Sequence, residues 1–268
     1  MAIHSTAIID HRAEISQNVS IGPFCHIGAD VRIAEGTIID GHVLIRRDTV
    51  IGKNNHIYHG SVIGEDCQHR NYKQESTQLI IGDYNVIREL CTIHRGSTDG
   101  ADGEYTTRIG SHNFIMVGSH IAHDCQLGSH ITMANNTALA GHVKVGDYAF
   151  LGGYTVVHQF CHLGRYSITG LNTIVTKDIP AFVKVAGNPS KAYGLNSVGM
   201  KRQGFDQHDI ATLKAAYHTV YHKQLNTDEA LAKLESMAEK HKIVSWFTAS
   251  IAASRRGIIR PPNKNSPE

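Results

Sequence analysis

The sequence predicts a mainly β protein, in which a parallel β-helix of hexapeptide repeats precedes a C-terminal α-helical domain. Isoleucine occupies every sixth position from Ile3 to Ile63, eleven consecutive times, and large aliphatic residues continue this period to Leu163 after two interruptions. Such a period is typical of a β-helix, in which each hexad contributes one short strand. Beyond about residue 190 the apolar spacing becomes helical. We therefore predict domains at 1–189 and 190–268.

Each hexad also predicts the direction of its side chains. The large aliphatic residue is taken as position one, and position five is small, as at Val31 or Thr37. Position five and the next position one lie two residues apart on a strand, so both point into the interior, while the residue between them points out. Positions two to four, often Gly, Asp or Asn, form a corner. Three hexads, or eighteen residues, make one coil.

The five cysteines all fall at position five, namely Cys25, Cys67, Cys91, Cys125 and Cys161. A buried thiol in an apolar slot is usually inert. We therefore expect five packing residues and neither a nucleophile nor a zinc ligand.

Two polar segments, roughly 68–79 and 98–108, interrupt the repeat beside corners. Loops that leave a rigid scaffold often carry function. We expect substrate or subunit contacts from both.

Three helical segments are predicted in the tail, with Asp206 and Thr227 as the N-caps of the first two. The third lies in KIVSWFTASIAAS. From residue 190 onward the tail has 12 Lys and Arg against 7 Asp and Glu, while residues 1–189 have 14 against 17. This positive charge suits an acidic protein partner or a phosphate, although a solvated helix face explains it equally well.

The overall composition argues against two classes of partner. A formal net charge of +2, without basic runs that alternate with aromatic residues, does not indicate nucleic acid binding. We find neither a signal-like N-terminus nor an apolar run of about 18 residues, so no membrane insertion is expected. We expect a cytoplasmic protein, a compartment in which five cysteines need not pair.

The stretch SHIAHDCQLG, residues 119–128, has the composition of a catalytic site. His123 and Asp124 fall at a corner, where adjacent side chains could meet, and His120 points outward just before it. Adding eighteen residues gives the neighbours one coil above, about 4.8 Å away. The column built in this way contains Gly141, His142, His158 and Gln159.

Zinc is the main competing interpretation of these histidines. Some trimeric hexapeptide carbonic anhydrases bind zinc through three histidines from two subunits, and two of those ligands lie five residues apart. In this sequence no two histidines are separated by five. We therefore expect no metal here.

Five blocks carry a resemblance to a known family: IHRG (93–96), HIAHDC (120–125), ANNTALAGHV (134–143), VHQFC (157–161) and MKRQGF (200–205). With the flanking hexads and helices, they resemble the cytoplasmic UDP-N-acetylglucosamine O-acyltransferases that begin lipid A synthesis. The resemblance implies a left-handed parallel β-helix and a homotrimer with active sites between subunits. It also implies transfer of a 3-hydroxyacyl group from acyl carrier protein to the sugar 3-hydroxyl, with no cofactor beyond the carrier's phosphopantetheine.

The resemblance also implies residue roles. His123 matches the general base, Asp124 the acid paired with it, and Gly141 the residue whose backbone N–H receives the oxyanion. The substrate-binding residues that it implies are His120, His142, His158 and Gln159 in the sugar and acyl pocket, and Asn196 and Arg202 near the nucleotide. Leu171 matches the position that closes the acyl groove, and a leucine there predicts a medium chain.

Some positions depart from the family pattern, and alternatives stay open. The first loop lacks the usual GEPT and has Asn71 where a lysine is common, while Gln203 and Pro189 replace a frequent arginine and histidine. A 3-amino sugar nucleotide as acceptor would need only pocket changes. A related N-acyltransferase would carry an N-terminal uridine-binding domain, whereas hexads begin here at residue 3. A γ-type carbonic anhydrase and a non-catalytic trimeric scaffold are the alternatives from other classes.

Overall fold

The computed structural model describes residues 2–98 and 105–261. Residues 99–104 of the second predicted loop and 262–268 of the predicted helical domain lie outside the described residues. In the described part the chain forms 28 strands and four helices.

The strands are β1 (Ala2–Ile3), β2 (Ile8–Ile9), β3 (Glu14–Ile15), β4 (Ser20–Ile21), β5 (His26–Ile27), β6 (Arg32–Ile33), β7 (Ile38–Ile39), β8 (Leu44–Ile45), β9 (Thr49–Ile51), β10 (His56–Ile57), β11 (Val62–Glu65), β12 (Gln78–Ile81), β13 (Val86–Ile87), β14 (Thr92–His94), β15 (Thr106–Ile109), β16 (Phe114–Ile115), β17 (His120–Ile121), β18 (Gln126–Leu127), β19 (Thr132–Met133), β20 (Ala138–Leu139), β21 (Lys144–Val145), β22 (Phe150–Leu151), β23 (Val156–Val157), β24 (His162–Leu163), β25 (Ile168–Thr169), β26 (Ile174–Val175), β27 (Val183–Ala186) and β28 (Lys191–Leu195). The helices are α1 (Ser197–Arg202), α2 (Gln207–His222), α3 (Thr227–Lys240) and α4 (Lys242–Ala252).

Consecutive strands join three different sheets in rotation. Sheet 1 begins with β1, β4 and β7, sheet 2 with β2, β5 and β8, and sheet 3 with β3, β6 and β9. Nearly every strand pairs in parallel with the strand one coil further on, as Ile3 does with Ile21. The chain is therefore a three-sided parallel β-helix, which confirms the predicted fold class. Its corners are named here by the sheets they join.

The predicted inward positions form the core of the β-helix. The aliphatic column from Ile21 to Leu163 is almost completely buried. Three small slots of sheet 1 hold asparagines instead: Asn55 Oδ1 accepts the Asn85 N–H at 2.8 Å, and Asn85 Oδ1 accepts the Asn113 N–H at 2.9 Å. Each amide nitrogen donates to a corner carbonyl, such as that of Gly110 from Asn85 at 3.0 Å. These side chains tie neighbouring coils together internally.

The 3–1 corner carries a ladder of stacked rings. Its members are Tyr84, His112, His130, Tyr148, Tyr166 and Phe182, with ring centroids 4.6–5.1 Å apart. All six residues have a positive φ, a conformation that costs a non-glycine residue about 1–2 kcal/mol. Each stacked aromatic pair stabilises the fold by about 0.5–1.5 kcal/mol. Stacking therefore offsets the strain of this corner.

Both predicted loops leave the β-helix at the 2–3 corner. The first connects β11 to β12, and the second connects β14 to β15. The pairing step lengthens at these two places, to 30 residues between Ile57 and Ile87 and to 28 between Ile87 and Ile115. Both loops therefore emerge just below the corner that contains His123.

The tail is helical, with differences from prediction. Asp206 caps α2, as predicted, by accepting the Asp209 N–H. The cap predicted at Thr227 is wrong, because Asn226 caps α3 in a capping box with Glu229. The short helix α1 was not predicted, and β28 extends sheet 1 beyond residue 189 by pairing with β27. None of the helices in the described ranges has the length and apolar character needed to span a bilayer.

Candidate active site

His123 and Asp124 meet at the 2–3 corner. Asp124 has a φ of 59°, and this left-handed backbone turns its side chain back toward its neighbour. The Nδ1 of His123 donates to Asp124 Oδ2 at 2.7 Å. Both side chains are mostly buried, with 14% and 7% exposed. The predicted pair therefore forms.

The Asp124 carboxylate receives further hydrogen bonds from Ser97. The Ser97 N–H donates to Oδ1 at 2.9 Å, and its hydroxyl donates to Oδ2 at 2.6 Å. Burial alone would raise the pKa of Asp124, but the hydrogen bonds from His123 and Ser97 hold it below its ordinary value. Asp124 is thus an anion that orients His123. Sequence analysis missed Ser97, because it follows the coil at the start of the second loop, where the hexad period has ended.

His123 is more basic in the free protein than the sequence suggests. Burial opposes protonation, but the interactions with Asp124 and Cys67 together outweigh it and raise the pKa of His123 to about 9. A pKa in this range favours the protonated form of His123 at neutral pH in the free chain, whereas a general base must be neutral to accept a proton. Deprotonation of His123 must accompany substrate binding or a rise in pH.

Gly141 lies directly above the His123 ring. A Cβ at residue 141 would lie 2.6 Å from Nε2 and Cε1 of His123, so only glycine fits. Within the described residues, no hydrogen bond uses the Gly141 N–H. The Gly141 backbone thus lies beside the His123 ring, and the role of its N–H as oxyanion donor stays a prediction.

Two neutral histidines lie near His123, with His120 in the same coil and His94 one coil below. His120 Nδ1 lies 2.8 Å from the Thr92 hydroxyl, and burial lowers the pKa of His120 to about 4. His94 Nδ1 donates to the Asp66 carbonyl at 2.6 Å, which leaves Nε2 to accept the Gln68 amide at 3.2 Å. Burial also lowers the pKa of His94. His94 lies in the IHRG block but was not predicted as a site residue. Gln68 was not predicted either, because it lies in the first loop, outside the hexad repeat.

The structure corrects one of the five cysteine predictions. Cys67 is buried, but it lies outside the apolar core, and its side chain interacts with His123. The physical reason is that the chain leaves the coil after β11, so the hexad no longer dictates direction. The other four thiols pack in the core as predicted, and burial raises the pKa of Cys125 to about 12.

The residues predicted above His123 follow the expected column. His142 Nε2 lies 3.7 Å from Asp124 Oδ2, and its ring stacks on Phe160 at 4.5 Å. His158 Nδ1 lies 3.1 Å from the Gln159 carbonyl, on the exposed side of the same corner. His123, Asp124 and His142 offer ligand atoms within 4.8 Å of one another. The absence of a metal stays a prediction.

The remaining predicted site residues lie at other corners of the same chain. Asn196 caps α1 by accepting the Gly199 N–H, and it donates to the Tyr166 carbonyl at 3.0 Å, beside the 3–1 corner. Arg202 ends α1. Leu171 lies at the 1–2 corner with 73% of its side chain exposed. A single chain therefore does not bring these residues to His123.

Comparison with known proteins identifies the family. The model for UDP-N-acetylglucosamine O-acyltransferase domain 2 matches residues 178–259, and that for the bacterial transferase hexapeptide matches residues 12–47. An acyl-[acyl-carrier-protein]–UDP-N-acetylglucosamine O-acyltransferase of Saccharophagus degradans is 49% identical over 258 residues, which cover 96% of this chain and 99% of the relative. The chain belongs to the UDP-N-acetylglucosamine O-acyltransferase family.

Solved structures agree with the family assignment. The UDP-N-acetylglucosamine O-acyltransferase of Moraxella catarrhalis is 44% identical, with a TM-score of 0.94, and its counterpart LpxA from Acinetobacter baumannii is 42% identical, with the same TM-score. Each alignment covers 97% of this chain and 100% of the other. The resemblance drawn from the sequence blocks is confirmed along essentially the whole fold.

Proposed function

We propose that the protein transfers a 3-hydroxyacyl group from acyl carrier protein to the 3-hydroxyl of UDP-N-acetylglucosamine, the first step of lipid A synthesis. The observation that carries this proposal is the hydrogen-bonded chain from Ser97 through Asp124 to His123, with the Gly141 backbone beside Nε2. This arrangement supplies a base and an oxyanion donor at one point. The acyl group arrives on the carrier's phosphopantetheine, so the proposal assigns the enzyme no cofactor of its own. The five free thiols suit a reducing cytoplasm.

The chemistry needs one proton acceptor and one oxyanion donor. His123 Nε2 takes the proton of the sugar hydroxyl while that oxygen attacks the thioester carbonyl carbon. The Gly141 N–H donates to the oxyanion that forms. When the intermediate collapses, the C–S bond breaks and the pantetheine sulfur takes the proton from His123. The products are the acylated sugar nucleotide and the carrier thiol.

Substrate binding would prepare His123 for this role. Bound sugar and acyl groups remove water from the 2–3 corner, and burial disfavours the charged imidazolium. Asp124 opposes this by stabilising the cation once it forms in the transition state. The base is therefore oriented before the reaction and becomes neutral as the site fills.

We also propose that the protein is a homotrimer, as the resemblance implied. Apart from histidines and Glu65 at the end of β11, the outward residues of β2 to β26 in sheets 1 and 2 are uncharged, and include Ile38, Val86, Phe114, Phe150, Leu44, Val62 and Val156. Sheet 3 instead presents Glu14, Arg32, Arg108 and Lys144. Sheet 1 of one subunit packing on sheet 2 of the next would bury the uncharged faces in a closed ring.

This packing would complete the site. The 3–1 corner of one subunit, with Asn196 and Arg202, would then lie at the outer end of the same cleft as His123 of the next. Leu171, at the 1–2 corner, would lie toward the inner end. The trimer therefore gives a physical reason for the separation of these residues within one chain.

Product analysis tests the proposed reaction. The protein is incubated with 3-hydroxyacyl carrier proteins of several chain lengths and with UDP-N-acetylglucosamine or its 3-amino analogue. We expect an ester product of the first acceptor and a loss of about 10²–10⁴-fold in rate for His123→Ala. A product only with the amino analogue would replace the ester by an amide, and a fully active, folded His123→Ala protein would remove His123 from the mechanism.

A further inference from the structure

Arg95 is a completely buried arginine whose role the proposed reaction does not explain. Its exposed fraction is 0%. Nη1 donates to the carbonyls of Gly64 and Arg47, and Nη2 donates to the Asp66 carboxylate and, at 3.3 Å, to the Tyr72 hydroxyl. Burying a guanidinium is unfavourable unless it is paired and hydrogen-bonded. The hydrogen-bond partners of Arg95 therefore compensate for the burial of its charge.

Three of these contacts, to Gly64, Asp66 and Tyr72, involve the first loop or the strand before it. The Arg95 N–H also donates to the Glu65 carbonyl at 2.9 Å, where the pairing of β11 with β14 becomes irregular. Beyond that point the strand ladder no longer holds the chain. The Arg95 side chain supplies the hydrogen bonds that hold the chain where the pairing of β11 with β14 ends.

Asp66 is held through two different groups by two consecutive residues. Its carboxylate pairs with Arg95, and its carbonyl accepts from His94. Cys67 and Gln68 follow directly, and they contact His123 and His94 respectively. The orientation of Asp66 therefore decides where the loop meets the site.

Contacts further along the loop are more exposed. The Glu75 carboxylate accepts from Thr98 at 3.2 Å, and the Gln74 carbonyl accepts from Arg47 at 3.5 Å, both at the surface. Exposed contacts of this kind contribute little to stability. The pair of the buried Arg95 guanidinium with the partly exposed Asp66 carboxylate is accordingly the main anchor of the loop next to His123.

We propose that Arg95 and Asp66 are a positioning pair, which holds residues 66–72 against the acceptor side of His123 so that the sugar nucleotide meets a preformed wall. Neither residue touches the reacting atoms. The inference rests on the proposed function for its kinetic consequence, but not for its structural one. It assigns a role to the arginine of the IHRG block.

The test uses Asp66→Asn and Arg95→Lys in the full chain. Asparagine keeps the shape of Asp66 without its charge, and lysine keeps the charge of Arg95 without its planar fork. Hydrogen exchange of residues 66–77 is measured alongside kcat and KM. We expect faster exchange there, unchanged exchange in the first three coils, and a KM for the sugar nucleotide that rises about tenfold, with a smaller change in kcat.

Two controls separate positioning from general destabilisation. Asn85→Ala weakens the interior of the β-helix away from the loop, and should lower stability without raising KM. The double variant should be no worse than the poorer single variant, because both changes break one interaction. The acidic limb of the pH profile should stay in place, since His123 keeps Asp124.

Several results would overturn the proposal. Unchanged exchange in 66–77, an unchanged KM in both variants, or an equal rise in KM for Asn85→Ala would each do so. If the wild-type protein forms no acylated sugar nucleotide, the proposed reaction fails. The exchange measurement would still decide whether Arg95 and Asp66 hold the loop.

Discussion

The Oδ2 of Asp124 lies 2.7 Å from the Nδ1 of His123, although the two residues are adjacent in the chain. On a strand such neighbours point to opposite faces. The left-handed φ of Asp124 at the corner brings them together, and the Nδ1 proton directed at the carboxylate leaves Nε2 beside Gly141. The direction of one peptide unit thus determines which nitrogen of the base meets substrate.

Replacing Asp124 should change the pH dependence of the reaction. In the wild type kcat/KM should rise as pH increases through the His123 pKa of about 9, because the base must lose its proton. Asp124→Asn removes the strongest of the interactions that raise this pKa, so the acidic limb should move down toward about 6.5, while the maximal rate falls about 10²-fold or more. Rate profiles from pH 5 to about pH 10 measure both. An acidic limb that stays in place would mean that another group controls the profile.

The interior asparagines should contribute strongly to stability. Asn85→Ala leaves the Asn113 N–H and the Gly110 carbonyl without their partner, while Asn55 Oδ1 keeps the backbone N–H of residue 85. Unpaired buried groups cost about 1–3 kcal/mol each, so we expect a loss of about 2 kcal/mol or more in the free energy of unfolding. Urea denaturation measures it. Lys53→Ala, which removes an exposed ion pair with Glu35, serves as a surface control and should change stability by less than about 0.5 kcal/mol. Similar losses of stability in the two variants would contradict a special role for the interior asparagine hydrogen bonds.

Leu171 should limit the length of the acyl chain. Its side chain lies above Gly153 and projects from the 1–2 corner, at the inner end of the proposed cleft. Each acyl methylene that Leu171 excludes from the groove loses about 0.8 kcal/mol of favourable burial free energy. We therefore expect the protein to prefer acyl chains of about ten to twelve carbons over fourteen, and Leu171→Gly to accept longer donors. Rates with a series of acyl carrier donors give the profile. Leu90→Gly, at the same corner several coils lower, should leave the optimum unchanged, and an unchanged optimum in Leu171→Gly would place the end of the groove elsewhere.

Docking of the carrier protein should depend on salt. The tail from residue 190 carries 12 Lys and Arg against 7 Asp and Glu, which suits an acidic carrier. Because salt screens exposed charges, the KM for the carrier should rise with ionic strength more than the KM for the sugar nucleotide. Titration with sodium chloride, compared with sucrose as an uncharged solute, measures both constants. Equal sensitivity of the two would argue against docking at the tail.

The hexad period predicts the upper half of the site and fails in the lower half, for one physical reason. Gly141 and His142 lie one coil above His123 and Asp124, as a step of eighteen residues predicts, because no insertion interrupts the chain in that coil. Ser97 and Cys67 lie beside insertions, where the chain has left the repeat and direction depends on contacts such as the Arg95–Asp66 pair. The hexad period therefore does not predict the direction of side chains beside the insertions. Arg202 shows a different limit, because its predicted place near the nucleotide depends on the proposed second subunit.

The short pairing step of the coils has a consequence for how the protein forms. Most strands find their partner only 18 residues along the chain, a small separation for a β protein, and folding rates rise as such separations fall. A nascent chain can therefore close its first coils while later ones are still being synthesised. The Asp178 carboxylate, which accepts from the Ser254 hydroxyl 76 residues away, joins the tail to the last coil. Docking of the helices is accordingly the late, long-range event in an assembly that otherwise grows by nearest neighbours.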